Sequence, residues 1–188
     1  MPSSLAERYQ RILDQPLDYV HAGRLQLPLA IDLPAVHAAL NPFIVQGLPA
    51  EHGTPVFQQN GEVLIHHWRV LPRVARLLGA YLQLGFLARG AALRELDASQ
   101  RAFAACELGE RSATPVHSEL LLQERLAALG LNTLLDWRGS LPDALIERLL
   151  LQFSPDVVAL QSQIPAQRPR PSLIVLAVQH ARFYPHPR

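Results

Sequence analysis

The sequence predicts a mainly α protein, a single-domain helical bundle with one small β-hairpin near Val56–Ile65. Three observations predict it. Apolar residues recur at three- and four-residue spacing over most of the chain, the pattern of helices that bury one face. Prolines, glycines and short polar residues stand where such helices would begin or end. In "VFQQNGEVLI" the pair Asn60-Gly61 separates two short runs with β-favouring residues and supplies the two positive φ angles a type I′ turn requires.

The elements follow in chain order. "PLDYVHAGRLQLP", Pro16 to Pro28, sets a tyrosine, a histidine and an arginine among evenly spread apolar residues, and reads as a short extended segment anchored on a helical body. From 40 to 55 the chain is expected to be irregular, because Pro42, Gly47, Pro49, Gly53 and Pro55 crowd one stretch. After the hairpin, Pro72 opens a helix whose inner face is Val74, Leu77, Leu78, Tyr81 and Leu84 or Gly85. Its nearly apolar run, Leu77 to Ala88, falls short of the roughly 20 residues a membrane helix needs, so no direct membrane insertion is expected. Asp97 caps the next helix, which stops at Gly109. Thr114-Pro115 starts another that runs to Gly130, with Leu120, Leu121, Leu126 and Leu129 available for burial. Ser140, Ser154 and Ser172 start three more, and 164–171 ("IPAQRPRP") is a Pro/Arg-rich extended connection.

The totals bound the function. A chain of 188 residues, 49% apolar, 18% charged and 6% aromatic, fits one domain (1–188) with an aliphatic core that needs no staples. Seventeen basic residues against sixteen acidic ones give no bias towards nucleic acid or membrane. All the basic residues are arginine, which suits bidentate pairing at interfaces but also follows from GC-rich coding. Cys106, the single cysteine, excludes an internal disulfide and reads as a small core residue of a protein in a reducing compartment. "MPSSLAERYQ" shows no secretory signal, so a cytoplasmic location is expected.

Candidate chemistry is sparse. His66-His67 would point to opposite faces of a strand, and no His-Glu-x-x-His motif accompanies them, so no metal site is expected. His21, His37, His52, His117, His180 and His186 are scattered, and neither a nucleophile elbow nor a phosphate-cradling glycine loop is present. No catalytic residue, cofactor site or metal site is therefore assigned, and the chain is read as a non-enzyme. A helix-turn-helix pivoting at Gly130 would carry Asp136 and a single arginine on its recognition helix, against the basic surface DNA requires, so no nucleic acid partner is expected. Charge placement is more informative. No acid lies between Glu62 and Glu95, while Arg69, Arg73, Arg76, Arg89 and Arg94 do; after Asp156 there is again no acid, while Arg168, Arg170, Arg182 and Arg188 follow. Arg69, Arg73 and Arg76 are the candidate contacts with an acidic protein partner.

Four stretches, in order, resemble the SctK family of bacterial type III secretion systems, known in individual systems as YscK, PscK, OrgA or MxiK. These are "PLDYVHAGRLQLP", "LLGAYLQLGFLARGAALRELD", "LIERLLLQFSP" and "QRPRPSLIVLAVQHARFYP", and the similarity is best for the Ysc-like branch. The resemblance implies a non-enzymatic adaptor of the cytoplasmic sorting platform, at the cytoplasmic face of the inner membrane when assembled. Its implied partners are the cytoplasmic domain of the inner-membrane ring protein SctD and the pod protein SctQ, and through SctQ the SctL protein and the SctN ATPase. It also makes Tyr19 and His21 the anchor of the family's N-terminal motif. A helical chaperone or adaptor of another assembly is the alternative, and a hydrolase with dispersed catalytic residues, such as His66 or His117 with a serine and a carboxylate, the minor one.

Overall fold

The computed structural model describes residues 4–25, 34–49, 57–89, 91–109, 111, 115–166 and 171–184. Among them the regular structure is helical: α1 (Leu5–Asp14), α2 (Pro34–Gln46), α3 (Gln59–His66), α4 (Leu71–Leu87), α5 (Ala98–Ala104), α6 (Leu122–Leu134), α7 (Asp143–Leu151), α8 (Pro155–Gln163) and α9 (Pro171–Phe183). Short 3-10 turns join several of them, including Pro16–Asp18 and Ala22–Arg24. The helices form two compact units, each drawn from two separate stretches of chain: 1–69 with 137–155, and 70–136 with 156–188.

In the first unit α1 packs against α2, α3 and α7. Its start is fixed locally by a capping box, in which Ser4 Oγ accepts from the Glu7 N–H at 3.2 Å and the Ser4 N–H donates to the Glu7 carboxylate at 3.0 Å. Tyr9 and Ile12, three apart, turn inward, and the Tyr9 ring meets Phe57 edge-on at 5.1 Å.

In the second unit α4 is the central element and packs against α5, α6 and α9. Val74, Leu77, Leu78 and Tyr81 are buried as expected, Leu84 is half-buried and Gly85 exposed. The crossing with α6 is close because two glycines permit it. A Cβ on Gly79 would strike the Leu126 carbonyl, and one on Gly130 the Ala75 carbonyl. Beside this crossing Ala80, Leu87, Leu96, Ala104, Leu122 and Leu126 form a continuous apolar cluster. Burying one leucine side chain of this kind stabilises by roughly 1.5–3 kcal/mol.

Several expectations are corrected. The hairpin is a helix: Asn60-Gly61 lies in the first turn of α3, and Gly109 is the one positive-φ residue among those described. Gly61, Leu64, Ile65 and Trp68 are buried at helical spacing, and Gly61 fits against the Ser140 backbone where a Cβ would collide. Tertiary approach, not turn geometry, is what this glycine serves; Val56 itself lies outside the described residues. The irregular stretch begins later than expected, because α2 runs through Pro42 to Gln46. Its half-buried Val36, Leu40 and Ile44, with buried Asn41, hold it in place despite the missing N–H. Residues 50–55 lie outside the described residues, as do Thr114 and 167–170. α6 starts at Leu122, since Ser118 Oγ accepts from the Leu120 N–H and Gln83 from the Val116 N–H, which occupies the preceding backbone in a non-helical turn. It passes straight through Gly130, so the helix-turn-helix pivot does not exist. α5 ends at Ala104, short of Gly109, and Cys106 beyond it is exposed rather than core.

Candidate functional site

The N-terminal motif is built around backbone acceptors. Pro16–Asp18 makes one 3-10 turn, and the Leu17 N–H donates to Asn41 Oδ1 at 3.0 Å inside the unit. The Tyr19 hydroxyl donates to the Ile12 carbonyl at 2.8 Å, and its ring stands edge-on to Trp68 at 5.7 Å. Burial holds this hydroxyl well above the usual phenol range; the Arg148 guanidinium opposes the shift and the Asp18 carboxylate adds to it. His21 is exposed. Its backbone N–H donates to the Leu151 carbonyl at 2.8 Å, and its Nδ1 accepts from the Gly23 N–H at 3.1 Å, capping the turn Ala22–Arg24. Arg24 then donates through Nε to the Phe153 carbonyl (2.6 Å) and through Nη2 to the Leu150 carbonyl (3.2 Å), which caps the C-terminal end of α7. Arg24 was not singled out from sequence, although it stands in the quoted motif.

A second missed residue is Arg148, only 2% exposed. It donates to the carbonyls of Ala144 (2.9 Å), Pro49 (3.1 Å) and Leu13 (3.5 Å). The signal was available, because the helical period sets Arg148 on the same face of α7 as Ala144, Leu145 and Leu149.

The three candidate arginines have different surroundings. Arg69, in the first unit, is exposed and ion-paired with Asp18. Arg73, in the second, is half-buried and donates to Ser99 Oγ at 3.0 Å. Arg76 is half-buried as well; burial lowers its guanidinium pKa from the ordinary value, Asp97 opposing and Arg73 reinforcing. Ser99 also receives α9, since its carbonyl lies 3.0 Å from His180 Nε2. The His180 ring tilts against Phe103 at 5.2 Å and stacks on Tyr184 at 4.6 Å. Thus one residue from each acid-free window, Arg73 and His180, meets on a single serine.

His66 closes α3 and His67 caps it, so the pair is not on a strand; His66 and His117 are both exposed. Among the described residues no three His, Cys, Asp or Glu side chains gather as a metal site would, and no helix is long and apolar enough to cross a membrane.

The family model for a bacterial type III secretion apparatus protein (OrgA_MxiK) matches residues 9–183. The oxygen-regulated invasion protein OrgA of Salmonella typhimurium, in strains LT2, SL1344 and 14028s, is 34% identical over 181 residues, which span 95% of this chain and 88% of that protein. These relatives are of the OrgA type, whereas the motifs read from sequence pointed to the Ysc-like branch. No solved structure matches the chain.

Proposed function

Because the chain belongs to the OrgA/MxiK family of bacterial type III secretion apparatus proteins, its partners lie within that machinery, and we propose that it is a non-enzymatic adaptor joining the SctD cytoplasmic domain to the SctQ pod protein. Through SctQ it would reach SctL and the SctN ATPase, at the cytoplasmic face of the inner membrane. The family match over residues 9–183 carries this reading. The two acid-free, arginine-bearing windows support it, since an adaptor needs surfaces that select partners by charge.

In this reading Tyr19 and His21 anchor the N-terminal motif on the first unit and contact no partner. Arg69 in the first unit and Arg73 in the second face acidic partner surfaces, with Arg76 as the partly desolvated neighbour of Arg73. The test is co-purification of the full chain with the SctD cytoplasmic domain and, separately, with SctQ from the same gene cluster. A stable complex with each at physiological salt is expected. Arg69→Glu with Arg73→Glu should slow association at low salt, and the difference should shrink as salt rises. If well-folded preparations of both partners leave the chain unbound, the adaptor reading is wrong.

A further inference from the structure

The outer side of α9 is unlike the other helix faces of the second unit. Leu173, Ile174, Ala177, Val178 and Ala181 turn inward and are buried. Ser172, Leu176, Gln179 and Phe183, spaced four, three and four apart, form the opposite stripe. On it Phe183 is 78% exposed and Leu176 38%, and Tyr184 beside it is 55% exposed. Single exposed apolar residues are ordinary, but two consecutive aromatic side chains at a helix end, with Leu176 two turns earlier on the same stripe beyond Gln179, give this face an apolar character.

Arg182 and Arg73 bring positive charge to the surroundings of this strip. Arg182 is exposed on one flank. On the other, His180 stacks on Tyr184 and reaches the Ser99 carbonyl, and Arg73 is bound to the same serine through its hydroxyl. Neither the 63–94 window that holds Arg73 nor the chain after Asp156 contributes a carboxylate. Asp97, the acid that faces Arg76 here, has its carboxylate engaged by the Gln100 N–H at 2.7 Å, in the cap of α5.

We propose that the α9 strip of Leu176, Phe183 and Tyr184, bordered by Arg182 and Arg73, docks a segment of a protein partner in which acidic residues flank an aliphatic or aromatic anchor. Complementarity of charge selects the occupant: a border to which Arg182 and Arg73 contribute positive charge repels a basic segment and draws an acidic one. The exposed rings supply the desolvated centre of the contact, where aromatic residues carry most of the binding energy. This assignment rests on the adaptor reading above and adds to it the face used and the chemistry that recognises it.

The experiment measures binding of the full chain to the SctD cytoplasmic domain and to SctQ, at low and high salt. It compares the wild type with Phe183→Ala/Tyr184→Ala and with Arg182→Glu. Both variants alter exposed side chains, so their melting temperatures should stay near that of the wild type. The aromatic pair should weaken one of the two complexes by about tenfold or more at either salt. Arg182→Glu should slow formation of that same complex, chiefly at low salt. A wild type that binds neither partner removes the adaptor reading, and this assignment with it. Wild-type binding that both variants reproduce overturns the assignment alone. So does loss of self-association, or of binding to phosphatidylglycerol vesicles, with both partner complexes intact; those results would give the strip to a second copy or to a membrane.

Discussion

Arg148 occupies a place usually filled by leucine, and its charge is met by the carbonyl dipoles of Ala144, Pro49 and Leu13. Its replacement by alanine leaves a cavity and strands those acceptors, so Arg148→Ala should cost roughly 3 kcal/mol or more. Arg148→Met keeps the stem volume and should recover only the packing part; urea unfolding of both variants at unchanged m separates the two contributions. Tyr19 offers a sharper test. Tyr19→Ala should cost roughly 2–4 kcal/mol, and Tyr19→Phe about 1 kcal/mol for the bond to Ile12. Burial raises the folded-state pKa of its hydroxyl above the ordinary value of 10.0, so the unfolded chain ionises first as pH rises. Its stabilising contribution is complete below that value and is lost above it, and Tyr19→Phe should flatten the alkaline fall of the stability curve. Sequence marked Tyr19 and His21 through a motif but passed over Arg24 and Arg148. Their acceptors are carbonyls distant in the chain, and a carbonyl leaves no trace in residue identity.

Helix ends and helix crossings draw on different information. The cap at Asp97 was legible because Asp97 and Gln100 exchange bonds within one turn: Oδ1 accepts from the Gln100 N–H, and the Asp97 N–H donates to the Gln100 amide oxygen at 2.9 Å. Asp97→Ala should therefore cost about 1 kcal/mol. Glycines were misread for the opposite reason. Local propensity makes Gly61 a turn and Gly130 a stop, yet each sits inside a helix, at a place where another backbone distant in sequence passes where a Cβ would be. Gly79→Ala and Gly130→Ala should thus destabilise by roughly 1–3 kcal/mol, outweighing the gain of about 1 kcal/mol in helix propensity. Gly85, on the exposed side of the same α4, has open space around it, and Gly85→Ala should stabilise by about 0.5–1 kcal/mol. Thermal melts of the three variants would check both signs at once. The Asn60-Gly61 signal failed because turn propensity is local, while burial of Leu64, Ile65 and Trp68 favours the 3.6-residue period.

At the scale of the whole chain, helical class and family were legible from spacing and from four ordered motifs, while the division into two units was not. That division depends on which distant stretches pack together. The first unit needs α7, which follows α6 in sequence, and the second needs α9, which follows α7. A fragment of residues 70–136 therefore lacks the helix that covers α4 and α5, and its circular dichroism should show a broad, weakly cooperative melt in place of a single transition. The shortest continuous stretch holding all of the first unit is 1–155, and it carries α4, α5 and α6 without α9. A partner screen built on random gene fragments would consequently display neither unit intact unless the insert spanned most of the reading frame. For the same reason, recombination between related secretion systems cannot exchange one unit as a cassette; a single crossover anywhere inside the gene leaves at least one unit of mixed parentage.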